Sequence, residues 1–207
     1  MNEELKNILI KVGCLYKKYG IKSITMDDVS RELGISKKTL YQYVQDKNEL
    51  VSLVIGLAME HQVVFFNELY GKGLNAIDEL FEVNKMVLQM IKSHNPSEEY
   101  DLKKYYPDQF QKIHKIRRDE IYRHIMSNLK KGKEEGLYRV ELNEEIIAKV
   151  QLMRIENTFD NQIFTDDELL SPKAFLEIFI YHIRGIANDN GIKILEQKLR
   201  ELESNNN

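Results

Sequence analysis

The sequence predicts an all-α protein, and three features of its 207 residues indicate this fold class. Helix-breaking residues are few, with three prolines and ten glycines, whereas Lys, Glu, Leu and Ile are abundant. Apolar residues recur at helical spacing along most of the chain, and no strand-like alternation accompanies them. The hydrophobic fraction of 43% is enough to bury a core. We therefore expect about nine helices.

The first four helices are expected within the N-terminal part of the chain, separated by short turns. An apolar face marks the first helix, and the second begins after the N-cap residue Thr25. The third helix opens at the N-cap Ser36 and should turn Leu40 and Val44 inward. A capping-box pattern at residues 46–49 then predicts the start of a long fourth helix.

Five further helices are expected in the remainder of the chain. Asn95-Pro96-Ser97 should break the chain before the helix that Pro107 opens. A polar loop that includes Ser171-Pro172 should separate the seventh and eighth helices. From the apolar spacing we place these helices at 74–93, from 107 to about 132, and at 144–160, 173–187 and 192–203.

Charge and cysteine content limit the classes of function. The net charge of −3 alone predicts no nucleic-acid partner, but residues 1–50 hold nine Lys/Arg against seven Asp/Glu, so this segment is basic on an acidic body. The single cysteine, Cys14, excludes an intramolecular disulfide and a multi-cysteine metal site. Glu3 and Glu4 stand where a signal peptide would be basic, and the apolar run 50–59 is too short to span a bilayer. We expect a cytoplasmic protein with no membrane partner.

Residues 25–47 have the spacing of a helix-turn-helix, the two-helix unit that places its second helix in a DNA major groove. Gly34 supplies the positive φ of the tight turn, and Ile35 can fill the gap between the two helices. Because only Leu40 and Val44 of the second helix are needed for the core, its lysines, threonine, glutamine and tyrosines remain for recognition. A solvated surface helix would explain any one of these residues, but not the ordered set.

The same stretch resembles the DNA-binding domain of TetR (tetracycline repressor)-like transcriptional regulators over about the first 55 residues. The resemblance rests on Tyr19-Gly20, Ser23-Ile24-Thr25, Val29, Leu33-Gly34-Ile35-Ser36, Thr39-Leu40-Tyr41, Tyr43 and Lys47-Asn48-Glu49-Leu50. It implies that phosphates are held, or the recognition helix braced, by Thr25, Thr39, Tyr41, Tyr43 and Lys47. It implies that bases face Ser36, Lys37, Lys38 and Gln42. Three residues depart from the pattern: Ser30 replaces a usual alanine, Val44 replaces a usual aromatic residue, and Lys38 stands where a small Gly or Pro is frequent.

The resemblance further implies a DNA-binding domain at 1–48 and a larger helical domain at 49–207 that dimerises and binds a small-molecule effector. The broad apolar surface of residues 174–187 is consistent with a helix that is buried by its own domain and by a partner, although a central helix of a monomer would look the same. We expect the dimer to be built on residues 144–160 and 173–187, as a four-helix interface. A homodimer is favoured because one helix-turn-helix reads too few base pairs, and a two-fold dimer matches a palindromic operator. Methionines and aromatic residues are candidates for the effector pocket, although residues of these types are more often part of the core: Met86, Met90, Phe110, Tyr122, Met126, Met153 and Phe159.

The sequence predicts neither an enzyme nor a cofactor or metal site. The glycines at 71 and 73 match part of a dinucleotide-binding fingerprint, but they follow a helix rather than a strand. The five histidines lack the close spacing of metal ligands. We therefore expect a ligand-responsive DNA-binding regulator, with a repressor favoured. The alternative is a helical ligand-binding or assembly protein whose helix-turn-helix does not bind DNA.

Overall fold

A computed structural model describes residues 2–92, 95–157, 165, 168 and 171–205. Over these residues the protein contains ten helices and no strand, with one isolated antiparallel bridge between Tyr138 and Ala187. The helices are α1 (Glu3–Tyr19), α2 (Met26–Leu33), α3 (Lys37–Leu40), α4 (Lys47–Tyr70), α5 (Ala76–Lys92), α6 (Pro96–Tyr105), α7 (Pro107–Glu134), α8 (Glu144–Asn157), α9 (Pro172–Ile186) and α10 (Asp189–Asn205). The all-α prediction is confirmed.

The described part of the chain contains one helix more than the nine that we expected. This additional helix is α6, which lies where Asn95-Pro96-Ser97 was expected to interrupt the helical pattern. Pro96 occupies the first helical turn rather than ending a helix, because a proline there gives up an N–H that has no helical partner. Asn95 precedes it as the N-cap, and its side chain accepts a hydrogen bond from the Ser97 N–H at 2.9 Å. Acidic residues in the first turn and lysines in the last turn complement the helix dipole.

The chain forms two compact units. The first comprises Met1–Glu68 together with His94–Lys115, and the second comprises Leu69–Ser93 together with Ile116–Asn207. The first unit therefore takes in α6, which packs on α1 although 76 residues separate the two helices in sequence. This division differs from the functional boundary expected at residue 48, which stays a prediction.

Each unit has its own apolar core. In the first unit, Leu9, Val12 and Tyr16 of α1 are buried with residues of α2, α3 and α4. In the second unit, α5, α7, α8, α9 and α10 contribute, and the core includes Leu129 and Ile183. The helical periodicity of the sequence thus corresponds to two separate sets of buried faces.

The second unit also contains a buried polar network. The carboxylate of Glu79 receives the Lys131 ammonium group at 2.5 Å and the Asn128 amide at 3.2 Å. The Asn128 carbonyl accepts from the Tyr138 hydroxyl at 2.9 Å, and the Asn128 amide donates to the backbone carbonyl of Ala76 at 2.8 Å. These bonds join α5, α7 and the segment that follows α7, so they define how the three pack.

Among the described residues, α4 has the length and apolar composition that could cross a membrane, with a mean hydropathy of 1.5 over its most apolar stretch. The run 50–59, which the sequence analysis found too short to span a bilayer, is only part of this helix. Core helices of soluble proteins also pass such a test, and α4 contributes Leu50, Val51, Val54 and Leu57 to the first core. The first half of α4 is therefore a core helix of the first unit.

Candidate nucleic-acid interface

The helix-turn-helix is formed by α2 and α3, and local capping explains both of its helix starts. The Thr25 side chain accepts from the Asp28 N–H, and the Asp28 carboxylate accepts from the Thr25 N–H, which completes a capping box. Gly34 ends α2 with φ of 67°, as the sequence predicted, and its N–H donates to α2 carbonyls. Ser36 then caps α3 by accepting from the Thr39 N–H at 3.0 Å.

The third helix is shorter than the sequence suggested. It ends at Leu40, and the chain continues as hydrogen-bonded turns in which the Tyr43 N–H donates to the Leu40 carbonyl at 3.0 Å. Leu40 is fully buried and Val44 is only 2% exposed, as predicted. We call residues 36–43 the recognition segment, because its apolar side is sealed against the core while most of its polar side chains face outward.

The predicted DNA-binding residues all lie in the first unit and differ in exposure. Thr39, Tyr43 and Lys47 are half-buried. The others are exposed: Thr25, Ser36, Lys37, Lys38, Tyr41 and Gln42. Exposure leaves these side chains accessible to a ligand, while partial burial suits residues that brace the segment. Their individual roles stay predictions.

Lys37 has an acidic neighbour that the sequence pattern did not suggest. Its ammonium group lies 2.8 Å from a carboxylate oxygen of Asp27 in α2, and both side chains are exposed. The Asp27 carboxylate raises the pKa of Lys37 through a hydrogen bond and its charge. For Lys37 to contact a base, its ammonium group must therefore either break its ion pair with Asp27 or keep that ion pair while it also binds the base.

Lys47 is the first residue of α4, and its side chain returns toward the loop between α1 and α2. The ammonium group donates to the Lys22 backbone carbonyl at 3.3 Å. Burial lowers the pKa of Lys47, and the positive charge of Lys22 lowers it further. The charges of Asp101 and Asp28 act in the opposite direction on the pKa of Lys47, but burial and Lys22 outweigh them. An anionic ligand beside the N-terminus of α4 would therefore stabilise the Lys47 cation.

Several predicted effector residues lie in or near the second core. Tyr122 and Met126 of α7 are partly buried and pack against that core, and Met86 of α5 is also partly buried. Phe110 belongs instead to the first unit, where its ring centroid lies 4.0 Å from that of His114. The structure therefore places Phe110 in a different compact unit from the other described candidates.

Two of the remaining effector candidates lie on the surface of the second unit. Met90 and Met153 are exposed, and Phe159 lies outside the described residues. Two open recesses of about 460 and 430 Å³ occur, and neither is lined by a predicted effector residue. Their walls are Tyr19, Ser23, Ser97, Tyr100 and Asp101 in the first case, and Gln197, Arg200, Glu201 and Ser204 in the second.

Sequence reasoning missed the contribution of α6 to this unit. Asp101 is buried, and its carboxylate accepts the Lys22 N–H at 2.7 Å, while the Asn95 amide donates to the Lys17 carbonyl at 2.6 Å. These contacts fasten α6 to the end of α1 and to the loop that leads to Thr25. The local signal for the helix was the Asn-Pro start with acidic residues behind it, but nothing local indicates where α6 packs.

Comparison with known proteins assigns this arrangement to a family. Residues 15–54, which include the whole helix-turn-helix, match the model of the bacterial regulatory proteins of the tetR family. This segment is a tetR-family helix-turn-helix. It is accordingly a DNA-binding domain, as the sequence predicted.

Relatives of the chain extend the similarity beyond the matched segment. An uncharacterized HTH-type transcriptional regulator of Bacillus subtilis (strain 168), YvaF, is 25% identical over 185 residues, which cover 89% of this chain and 96% of the relative. A transcriptional regulator from Cytophaga hutchinsonii has the same fold, with a TM-score of 0.72 at 17% identity, covering 90% of this chain and all of that chain. A TetR transcription regulator from Haloarcula marismortui gives a TM-score of 0.70 at 15% identity, covering 88% of this chain and 97% of that chain.

Proposed function

We propose that this protein is a cytoplasmic TetR-family repressor that binds a palindromic operator as a homodimer and is released by a small-molecule effector. The observation that carries the proposal is the recognition segment, whose lysines, glutamine and Tyr41 are exposed above a sealed apolar core. Such side chains contact base edges and phosphates in a major groove. Its activity would be binding rather than catalysis.

Different side chains of the interface should contribute differently to DNA binding. Lys47 is partly buried beside Lys22, where a phosphate would relieve the repulsion between the two cations. Its contact should therefore be independent of sequence. Lys37 and Gln42 are exposed on the recognition segment and should contribute to base preference.

The test is a titration of purified protein against DNA selected from a random-sequence pool and against a scrambled duplex, at several salt concentrations. Lys47→Ala should weaken binding to both duplexes alike and reduce the salt slope by about 0.9 per phosphate contact. Lys37→Ala should reduce the preference for the selected DNA, by about 1–3 kcal/mol for each good base contact. If Lys37→Ala weakens both duplexes equally, Lys37 contacts a phosphate. If the unmodified protein shows no salt-dependent DNA binding, the repressor proposal fails and the alternative of a non-DNA-binding helical protein gains.

A homodimer is supported by apolar side chains that α8 leaves on the surface of the second unit. Ile146, Val150 and Met153 are spaced as one helix face and are 58%, 52% and 59% exposed. Tyr181 of α9 is 82% exposed. A contiguous apolar helix face of this kind is typical of a surface that a partner covers.

The dimer is tested by sedimentation at micromolar concentration, where the unmodified protein should be dimeric. Val150→Glu should dissociate it without unfolding the subunit, whereas Val140→Glu, an exposed apolar position in the segment before α8, should leave it dimeric. Phe179 is a poor probe of the interface, because it is buried and its ring packs edge-to-face on Phe81 at 4.9 Å. A monomeric unmodified protein would refute the proposal.

Release by an effector is proposed as a shift in population between a DNA-binding and a non-binding state. It is supported by the partly buried Tyr122 and Met126, since methionines and aromatic side chains adapt to apolar ligands. An effector should raise the melting temperature by mass action and lower the affinity for operator DNA. A compound that stabilises the protein while DNA affinity stays unchanged would not be the effector, and a Met126→Ala variant that responds like the unmodified protein would remove Met126 from the pocket.

A further inference from the structure

Two exposed lysines of the first unit lie outside the helix-turn-helix and share one aromatic ring. The ammonium group of Lys22, in the loop after α1, lies 4.4 Å from the centroid of the Tyr105 ring. The ammonium group of Lys104, on α6, lies 5.4 Å from the same centroid and 5.1 Å from that of Tyr100. Lys104 also donates a hydrogen bond to the Tyr100 hydroxyl at 2.8 Å. The rings thus bring together cations that are far apart in sequence.

The aromatic rings hold these cations without neutralising them. A cation–π contact orients an ammonium group over the ring face but leaves its charge in place, and lysine retains N–H donors for a further acceptor. Among the described residues, neither ammonium group forms an ion pair with a carboxylate. The carboxylate in the cluster, that of Asp101, is buried and accepts the backbone N–H of Lys22.

This cluster is continuous with the predicted DNA contacts. The Lys22 carbonyl accepts from the Lys47 ammonium group, and Lys22 precedes the N-cap Thr25 by three residues. The cations of Lys47, Lys22 and Lys104 therefore extend from the start of α4, across the loop between α1 and α2, to α6. Cations placed in such a row can each contact a phosphate of a DNA strand.

We propose that Lys22 and Lys104, positioned by Tyr105 and Tyr100, contact backbone phosphates and widen the DNA footprint beyond the helix-turn-helix. The proposal rests on the proposed DNA-binding function. The contact is independent of base sequence, because phosphates carry no base information. It adds affinity and orientation to the complex and leaves the preference for one operator over another unchanged.

The test compares neighbouring lysines of α6 by titrating full-length protein against operator and random-sequence duplexes from 50 to 300 mM NaCl. Lys104→Gln and Lys22→Gln should each reduce the salt slope by about 0.9 per protomer and weaken binding several-fold at low salt, equally on both duplexes. Lys103→Gln is the matched control, with the same change in net charge one position away on an exposed part of the helix. Its salt slope should equal that of the unmodified protein.

Two variants of Tyr105 test the role of the ring. Tyr105→Phe keeps the aromatic face and should bind DNA as the unmodified protein does, whereas Tyr105→Leu should lose part of the effect of Lys22 and Lys104. If Lys104→Gln and Lys103→Gln have the same salt slope while Lys47→Ala lowers it, the auxiliary contact is refuted and the helix-turn-helix still binds DNA. If the unmodified protein binds neither duplex, the proposed function itself fails.

Discussion

Replacing Lys131 by methionine should destabilise the second unit by leaving a buried carboxylate without its cation. Glu79 is 2% exposed and receives the Lys131 ammonium group at 2.5 Å. Methionine preserves most of the length and apolar stem of lysine but removes its charge and its N–H donors, one of which also bonds to the Leu74 carbonyl. In the variant, the Asn128 amide at 3.2 Å remains as a donor to Glu79.

The magnitude follows from how completely the pair is buried. Breaking a fully buried ion pair from one side costs about 3–5 kcal/mol. The Lys131 side chain is 30% exposed and Asn128 still donates to Glu79, so we expect a smaller loss of about 2–3 kcal/mol. For a chain of this size that loss corresponds to a decrease in melting temperature of about 4–12 °C.

Urea unfolding followed by circular dichroism measures the loss, with Lys130→Met as the control because Lys130 is its exposed neighbour on α7. Adding Glu79→Gln to Lys131→Met should restore part of the stability, since the double variant buries no charge. A loss below about 0.5 kcal/mol for Lys131→Met, or further destabilisation by the second substitution, would refute the reasoning.

Three other predictions concern single side chains. Gly132→Ala should lower the free energy of unfolding by about 1–3 kcal/mol or more, since the new Cβ would lie 2.1 Å from the Tyr138 ring. Gly56→Ala, whose Cβ would have no atom within 4 Å, should instead stabilise α4 by about 0.5–1 kcal/mol in the same unfolding assay. Tyr16→Phe should leave the free energy of unfolding unchanged or raise it, because the buried Tyr16 hydroxyl has no hydrogen-bond partner among the described residues. Tyr138→Phe should lower it by about 1–2 kcal/mol, because it leaves the Asn128 carbonyl unpaired. Equal changes in stability for the two variants would contradict this reasoning. Burial and the Arg154 charge lower the pKa of His182 from 6.5 to about 4, so the unfolded chain protonates this histidine first as the pH falls. The free energy of unfolding should therefore decrease as the pH falls from 6.5 to 4, and His182→Gln should reduce that decrease in unfolding curves measured across the range.

The local parts of the fold could be predicted from neighbouring residues. The cap at Thr25, the positive φ of Gly34 and the cap at Ser36 depend on side chains no more than three or four positions away. Helical spacing likewise marked Leu40 and Val44 as inward, and both are buried. The order of these local signals was also enough to indicate the family, because a helix-turn-helix is itself a short continuous unit.

The same local reasoning misjudged two segments. It gave Pro96 the role of a breaker, although a proline in the first turn is compatible with a helix. It also extended the third helix to Val44, where the structure has turns after Leu40. In both cases the residue types are compatible with a helix and with its absence. The conformation that the structure shows is the one in which the segment packs against the first core.

Pairings between distant segments were decided only by the tertiary structure. The bond from Lys22 to Asp101 spans 79 positions, and the bond from Asn128 to Glu79 spans 49. No periodicity connects such residues, because each fits its own helix or loop equally well with or without the partner. The sequence by itself therefore determined most of the helices and the caps of the helix-turn-helix. Folding decided that α6 completes the first unit and places Lys104 beside Lys22, since only packing brings the buried Asp101 to the loop after α1.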